Sequence, residues 1–392
     1  MEPTEQQLRA NIWKFYLAEF FSNFWFIAVI YILYMQYFGV SYTGIGTLEF
    51  VCLMVAVLLE IPTGAFADMF GRRNSVCIGM AVLVVASLIV GLSSVFLFFI
   101  IGFFFWGVAD AFITGAREAL IYETLKALGR EKEYLKIQSR LILISTMAIV
   151  IAAFTGSILF SINVRLAYFA LAGSMAIAAI IMLSVKEPPM KKIKFNITAH
   201  YDQVKKGVGY LLSSKYLKWL VGFSAIMFAP YYVFDSLMNQ PYLIGSGFKV
   251  VELGLIFAIV YGISGFMTAF IHHAERFLKE KLSLLLVVLV HGTTFLLMAL
   301  LSTPLIVMVF ILFYLGHNYR YIVVDAYMQK HTPSNIRATL TSSHSMLMNA
   351  SGAIAVVIGG MLIDATSLNT TLIVLTAFTF VVGLLWLGKR YL

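Results

Sequence analysis

The sequence predicts an all-α membrane protein with 12 transmembrane helices. Of the 392 residues, 61% are hydrophobic and only 12% charged, whereas a soluble domain averages about 25% charged. The mean hydropathy is +0.90. Apolar runs of about 20 residues, enough to cross roughly 30 Å of hydrocarbon, recur from one end of the chain to the other. Inside lipid every backbone N–H and C=O needs an internal partner, so such runs must be helical. The alternating segments of about ten residues that mark a lipid-exposed barrel are absent.

Taken in order, the spans are 12–38, 44–66, 75–94, 96–124, 138–162, 165–185, 216–242, 251–272, 282–301, 304–328, 338–362 and 369–388. Turn-forming residues separate them, at Gly39–Gly46, Gly64–Arg73, Gly129–Lys132, Pro188–Pro189 and Gly245–Gly247. The polar start, Glu2 to Arg9, runs straight into a long apolar stretch with no small-residue cleavage site, so it reads as a retained first helix. Cys52 and Cys77 fall in or beside apolar runs and imply no disulfide framework.

The net charge of +9 is explained by where the lysines and arginines lie, not by a nucleic-acid partner. Of the 28, only Arg165 and Lys249 fall on one side and Arg117 and Arg320 within spans; the rest sit at the opposite set of ends and loops. Both termini and the long middle loop are therefore predicted to be cytoplasmic, and an even number of spans agrees with termini on one side. That loop, 186–215, carries Lys191, Lys192, Lys194, Lys205 and Lys206 and reads as a linker tracking the membrane surface. It divides the chain into an N-terminal bundle, 1–185, and a C-terminal bundle, 216–392, of six spans each.

Between spans two and three stands Gly64-Ala-Phe-Ala-Asp68-Met-Phe-Gly71-Arg72-Arg73, preceded by Glu60-Ile-Pro-Thr. Gly64 would let helices approach, Gly71 permits a turn with positive φ, Asp68 can pair with an arginine, and Arg72 and Arg73 can anchor at headgroups. The segment resembles the signature loop of the major facilitator superfamily, Gly-x-x-x-Asp-x-x-Gly-Arg-Arg/Lys, in its expected place after the second span. Arg117-Glu118-Ala-Leu-Ile-Tyr-Glu123-Thr-Leu-Lys126 with Arg140, and Arg337-Ala-Thr-Leu, are similar to patterns in bacterial members. The resemblance implies two pseudo-symmetric six-helix bundles and alternating access around a midplane site, in the cytoplasmic (inner) membrane of a bacterium, with a single chain as the functional unit. A repeat offset of about 208 residues sets Arg276 under Asp68, Lys279 under Gly71, Asn318 under Asp110 and Asp325 under Arg117. Span five lacks the Gly-Pro pair that drug–proton antiporters of this superfamily carry.

Ionisable side chains at membrane depth are costly and face cavities or partners. Candidates for substrate binding or proton coupling are Glu19 with Asn23 on span one, Asp110 and Arg117 two turns apart on one face of span four, Asp235 on span seven, and His317, Asn318, Arg320 and Asp325 on span ten. Desolvation would raise the pKa of Glu19 toward neutrality, unless it pairs with Arg117 or Arg140. Candidate pocket aromatics are Tyr31, Tyr34, Tyr231, Tyr232, Tyr261 and Tyr314. Glu60, Glu118, Glu123, Arg140 and Arg337, with Asp68 and Arg72, are expected to form gating ion pairs at the cytoplasmic ends. For each of these the alternative is an interhelical bond that only holds the bundle together.

His272-His273 lacks a partner at metal-ligand spacing, and there is no nucleotide-binding P-loop. No cofactor, metal or enzymatic activity is expected. The expected function is secondary active transport of a small organic or amphipathic solute, proton-coupled, with efflux favoured and an organic cation or mixed hydrophobic solute suited to the pocket. The alternatives are uptake of a nutrient or siderophore-type anion held by Arg117 and Arg320, and a non-transporting membrane sensor or assembly subunit.

Overall fold

The computed structural model describes residues 3–189, 205, 207–211, 213–301, 305–333 and 336–391; most are helical, and no strand occurs among them. Helix α1 (Glu5–Ser22) opens on a capping box in which Thr4 and Gln7 satisfy each other's amides. At Asn23 the regular ladder ends: Trp25 N–H bonds Asn23 O at 2.9 Å and Phe26 N–H bonds Phe24 O at 2.9 Å. Helix α2 (Tyr31–Tyr37) follows. The first predicted span is thus two helices joined by an irregular stretch. For that reason eleven described helices, rather than 12, are individually long and apolar enough to cross a membrane. The break is packed, since the Phe26 carbonyl lies on Gly156 where a Cβ would collide.

Helix α3 (Tyr42–Phe70) carries Pro62 in its interior, and α4 (Arg72–Leu92) starts after Gly71 at φ 106°. Span four divides into α5 (Phe96–Ile113) and α6 (Ala116–Ala127), because Gly115 adopts φ 74° between them. Helices α7 (Tyr134–Ile162) and α8 (Leu166–Leu183) complete the first half. The second half comprises α9 (Lys215–Leu237), α10 (Asn239–Gly245), α11 (Val250–Thr268), α12 (Ile271–Leu300), α13 (Ile306–Lys330), α14 (Arg337–Ala365) and α15 (Leu368–Tyr391). Most of the predicted middle loop, including Lys191, Lys192, Lys194 and Lys206, lies outside the described residues.

The internal repeat is visible in the backbone. Lys279, the residue that the offset of about 208 sets under Gly71, also has positive φ (57°, with ψ 178°) and kinks α12. Both halves turn at the same place although only one keeps the glycine. The offset does not extend to Gly115, whose counterpart in α13 continues the helix.

By contacts the chain forms two units: Met1–Tyr34, Val51–His200 and Val250–Leu255 in the first, and Met35–Phe50, Tyr201–Lys249 and Ile256–Leu392 in the second. In the first, small residues bring helices together: Gly79 faces the Ala109 carbonyl and Gly107 the Cys52 carbonyl. This is the usual means of close packing where lipid removes the hydrophobic driving force between helices. Its core at the signature-loop end contains Phe15, Val76, Leu120, Ile121, Leu141 and Met182. The second unit is centred on Leu217, Phe223, Met227, Val287, Val323 and Met328. There the Trp219 indole N–H donates to the Trp386 carbonyl, and the Trp386 indole N–H donates to the Trp219 carbonyl, each at 3.0 Å.

Candidate functional site

The intramembrane polar residues gather into two clusters, one in each unit. In the first, Glu19 is 8% exposed on the last turn of α1. Its carboxylate accepts from Arg117 Nη1 at 3.2 and 3.3 Å and from Asn23 Nδ2 at 3.0 Å. Asn23 in turn accepts from the Ser145 hydroxyl of α7 at 3.0 Å. Three helices are therefore tied through one carboxylate–guanidinium pair. Beside it lies a cavity of about 210 Å³ lined by Ser22, Asn23, Trp25, Asp110, Thr114 and Arg117, among others.

Asp110 and Arg117 both reach this cavity, but not from one helical face as the sequence predicts. Gly115 at φ 74° breaks the span between them, and Asp110 ends α5 while Arg117 begins α6. Tyr31 lies next to Phe103, with ring centroids 6.5 Å apart. Tyr34 is fully buried and donates to the Val90 carbonyl at 2.8 Å.

At the signature-loop end, Arg72 pairs with Asp68 at 2.6 Å and with Glu123 at 3.6 Å. Glu187, just beyond α8, accepts from the backbone N–H of Arg72 at 2.7 Å and of Arg73 at 3.0 Å. It caps the first turn of α4, where the helix carries its positive end. Burial pushes the Glu187 carboxyl above its ordinary value, against the opposing effect of those two N–H donors and the Arg73 and Arg72 charges. A Cβ on Gly71 would lie 3.0 Å from the Glu187 carboxyl, whereas one on Gly64 would meet nothing within 4 Å. Gly71 is needed both for its turn and for this close approach. Glu60 lies in α3 two residues before Pro62. Glu118 and Arg140 are exposed, and the Arg337 side chain lies outside the described residues.

The second cluster is a seam between α9 and α13. Ser224, Phe228, Tyr231 and Asp235 recur on α9 at helical spacing and meet Arg320, His317 and Tyr314 of α13 in reverse order. At one end Tyr314 donates to Asp235 at 2.6 Å, Asn239 donates to the Tyr314 oxygen at 3.2 Å, and Tyr261 packs edge-on to Tyr314. In the middle the His317 ring stacks on Tyr231, with centroids 3.5 Å apart and planes 17° apart. At the other end Arg320, 2% exposed, donates from Nη1 to the Ser224 hydroxyl at 2.8 Å. The Arg320 guanidinium lies 5.3 Å from the Phe228 ring centre, and His344 Nε2 is 3.3 Å from the same Ser224 hydroxyl. Tyr232 donates to Glu49 at 2.7 Å.

Asn318 and Asp325 do not join the seam. Asn318 donates to Thr268 of α11 at 3.1 Å, and Asp325 accepts from Gln329 on its own helix at 2.7 Å. They lie two turns apart on a different face of α13 from Arg320. Ser224, His344, Ser145 and Glu187 escaped the sequence reading. Ser224 was detectable, because it continues the Phe228–Tyr231–Asp235 stripe one turn back. Among the described residues no group of three or more His, Cys, Asp or Glu is placed to hold a metal ion.

Comparison with known proteins agrees with this architecture. The family model described as Major Facilitator Superfamily matches residues 15–356. An uncharacterised MFS-type transporter of Methanocaldococcus jannaschii is 24% identical over 293 residues, covering 72% of each chain. Among solved structures, a mutant of the nucleoside transporter NupG superposes with a TM-score of 0.84 at 16% identity, over 98% of this chain and 99% of that one. A bacterial homologue of the human lysosomal transporter Spinster, inward-facing and unoccupied, gives 0.71 at 14% identity over 100% and 99%. A POT family transporter in complex with 5-aminolevulinic acid gives 0.74 at 14% identity over 97% and 96%. At these identities the likenesses show the fold.

Proposed function

This chain belongs to the Major Facilitator Superfamily, and from that premise we propose that it is a proton-coupled secondary transporter carrying a small organic solute by alternating access. It is a multi-pass membrane transporter; the coupling ion and solute class are our reading. The observation that carries that reading is the Glu19–Arg117 pair beside the cavity of about 210 Å³. Among the described residues Glu19 pairs with one guanidinium, that of Arg117, which is 34% exposed. Protonating Glu19 would release Arg117 toward the cavity, and deprotonation would draw it back. A proton thereby biases the arrangement of α1 against α6, which is the differential interaction that any coupled shift between two states needs.

The aromatic seam of the second unit supports an organic solute, because stacked rings and a few convergent polar groups are how such ligands are oriented. The solved neighbours include a nucleoside transporter and a POT family transporter holding 5-aminolevulinic acid, solutes of the size we assign. We place both termini on the cytoplasmic side of a bacterial inner membrane and take one chain as the functional unit.

The test is flux in liposomes under an imposed pH gradient, across a panel of nucleosides, amino-acid-like compounds and organic cations and anions. We expect solute-dependent proton movement that Glu19→Gln abolishes. The panel, run with the gradient in each direction, assigns export or uptake. If Glu19→Gln and Asp110→Asn together leave gradient-driven accumulation intact, proton coupling at this site is wrong.

A further inference from the structure

We propose that Arg320 is the seat of an oxyanion, a carboxylate or phosphate group carried by the transported solute; this rests on the transport reading above. The two membrane-depth arginines stand in opposite situations. Arg117 faces a carboxylate, whereas Arg320 faces none among the described residues.

Arg320 is 2% exposed, and the groups that meet its guanidinium among the described residues are neutral or basic: the Ser224 hydroxyl and carbonyl, the Phe228 ring, and through Ser224 the His344 imidazole. The acids on the same two helices are engaged elsewhere. Asp325 accepts from Gln329. Asp235 accepts from Tyr314 and Asn239, eleven residues along α9 from Ser224, a rise of about 16 Å. Glu49 accepts from Tyr232. No ion pair to Arg320 occurs among the described residues.

Removing a guanidinium from water without an opposite charge is strongly unfavourable, and a serine hydroxyl with one aromatic face offsets only part of it. The donor geometry shows where compensation would come from. Nη1 bonds Ser224, while Nε, equally buried, has no hydrogen-bond partner. The Nε side of the guanidinium fork is the edge that donates to both oxygens of a carboxylate or to two of a phosphate. One turn away, His317 Nδ1 is a second buried nitrogen without a partner, and its ring stacks on Tyr231. The seam therefore offers an oxyanion seat among neutral and basic groups, which suits an anionic solute and disfavours an organic cation.

The test uses the purified full chain in detergent, with benzoate and inorganic phosphate as oxyanion probes. Benzamide serves as the neutral isostere of benzoate and benzylammonium as the cation. The expected result is that at least one oxyanion raises the thermal midpoint and binds in calorimetry, while benzamide and benzylammonium do not. Arg320→Gln should weaken oxyanion binding at least tenfold. Arg320→Lys, which keeps the charge but not the fork, should fall between. The wild-type comparison stands even where a variant fails to fold: if neither oxyanion binds better than benzamide, the proposal is overturned. It is equally overturned if oxyanion binding is indifferent to Arg320→Gln. Liposome flux separates this from the transport reading. Arg320-dependent binding without gradient-driven flux would leave the seat standing and remove transport, whereas anion-blind, Arg320-independent flux would do the reverse.

Discussion

A double-mutant cycle on Glu19 and Arg117 separates what the pair contributes to stability from what it contributes to coupling. Exposed ion pairs contribute about 0–1 kcal/mol, while removing one partner of a fully buried pair costs about 3–5 kcal/mol. This pair lies between the limits, with side chains 9% and 34% exposed, and Asn23 supports the carboxylate from a third position. Screening at the exposed guanidinium discounts the buried figure to a coupling energy of about 1–3 kcal/mol. Glu19→Gln, Arg117→Gln and the double variant would be unfolded in mixed micelles and each assayed for gradient-driven flux. The double variant should regain stability lost by the worse single variant, because it leaves no unpaired charge, yet it should remain uncoupled. A coupling energy near zero would refute the structural argument. A double variant that still accumulates solute uphill would refute the coupling role.

Three further outcomes follow from geometry elsewhere. Glu187 has a raised pKa in the folded chain because of burial. Its contribution to stability is therefore fully present below the ordinary glutamate range and is lost as pH rises through the raised value; Glu187→Gln should flatten thermal midpoint against pH over that interval. Lys279 occupies a backbone region open essentially only to glycine (φ 57°, ψ 178°), a strain of about 1–3 kcal/mol. Lys279→Gly should raise the thermal midpoint, and a lowered midpoint would show that the side chain matters more than the strain. Asp364 accepts from the backbone N–H groups of Tyr42 at 3.1 Å and Thr43 at 2.8 Å, and a Cβ on nearby Gly360 would lie 2.5 Å from the Tyr42 carbonyl. Gly360→Val should cost about 1–3 kcal/mol by overpacking, and Asp364→Ala about 1 kcal/mol by loss of the cap, both read by unfolding of the purified chain.

The helices were legible because lipid leaves so few options: a long apolar run must be helical, and the predicted spans overlap helices found along the whole chain. The breaks were not. Periodicity continues smoothly through Asn23–Ile30, Thr114–Gly115 and Met238, since every one of these residues is compatible with a helix in isolation. What breaks them is tertiary, such as the Phe26 carbonyl lying against Gly156 of another helix. The same limit governs the sites. Intramembrane charge flagged Glu19, Arg117, Asp235 and Arg320, because an ionisable group at that depth stands out against Leu and Phe. Partners without charge, such as Ser224 and Ser145, are invisible in sequence until the helix that faces them is known. The pairing of Glu19 with Arg117 rather than Arg140 was left open by the sequence for the same reason.

The contrast between the two arginines bears on how a proton and a solute would be linked. A ligand moves an equilibrium only by its differential affinity for the two states. Arg117 already has an internal carboxylate, so a solute anion would have to compete with Glu19 for it, and would do so best when Glu19 is protonated. Arg320 has no such rival among the described residues and would attract an anion whatever the state of Glu19. On the proposed reading, then, the second unit supplies affinity and the first supplies the proton dependence. Affinity for benzoate should fall with Arg320→Gln at every pH, whereas Glu19→Gln should leave that binding unchanged and remove the pH dependence of flux. Were the pH dependence of flux to survive Glu19→Gln and vanish with Asp235→Asn, the carboxylate of the second unit would take over the coupling role and this division of labour would be reversed.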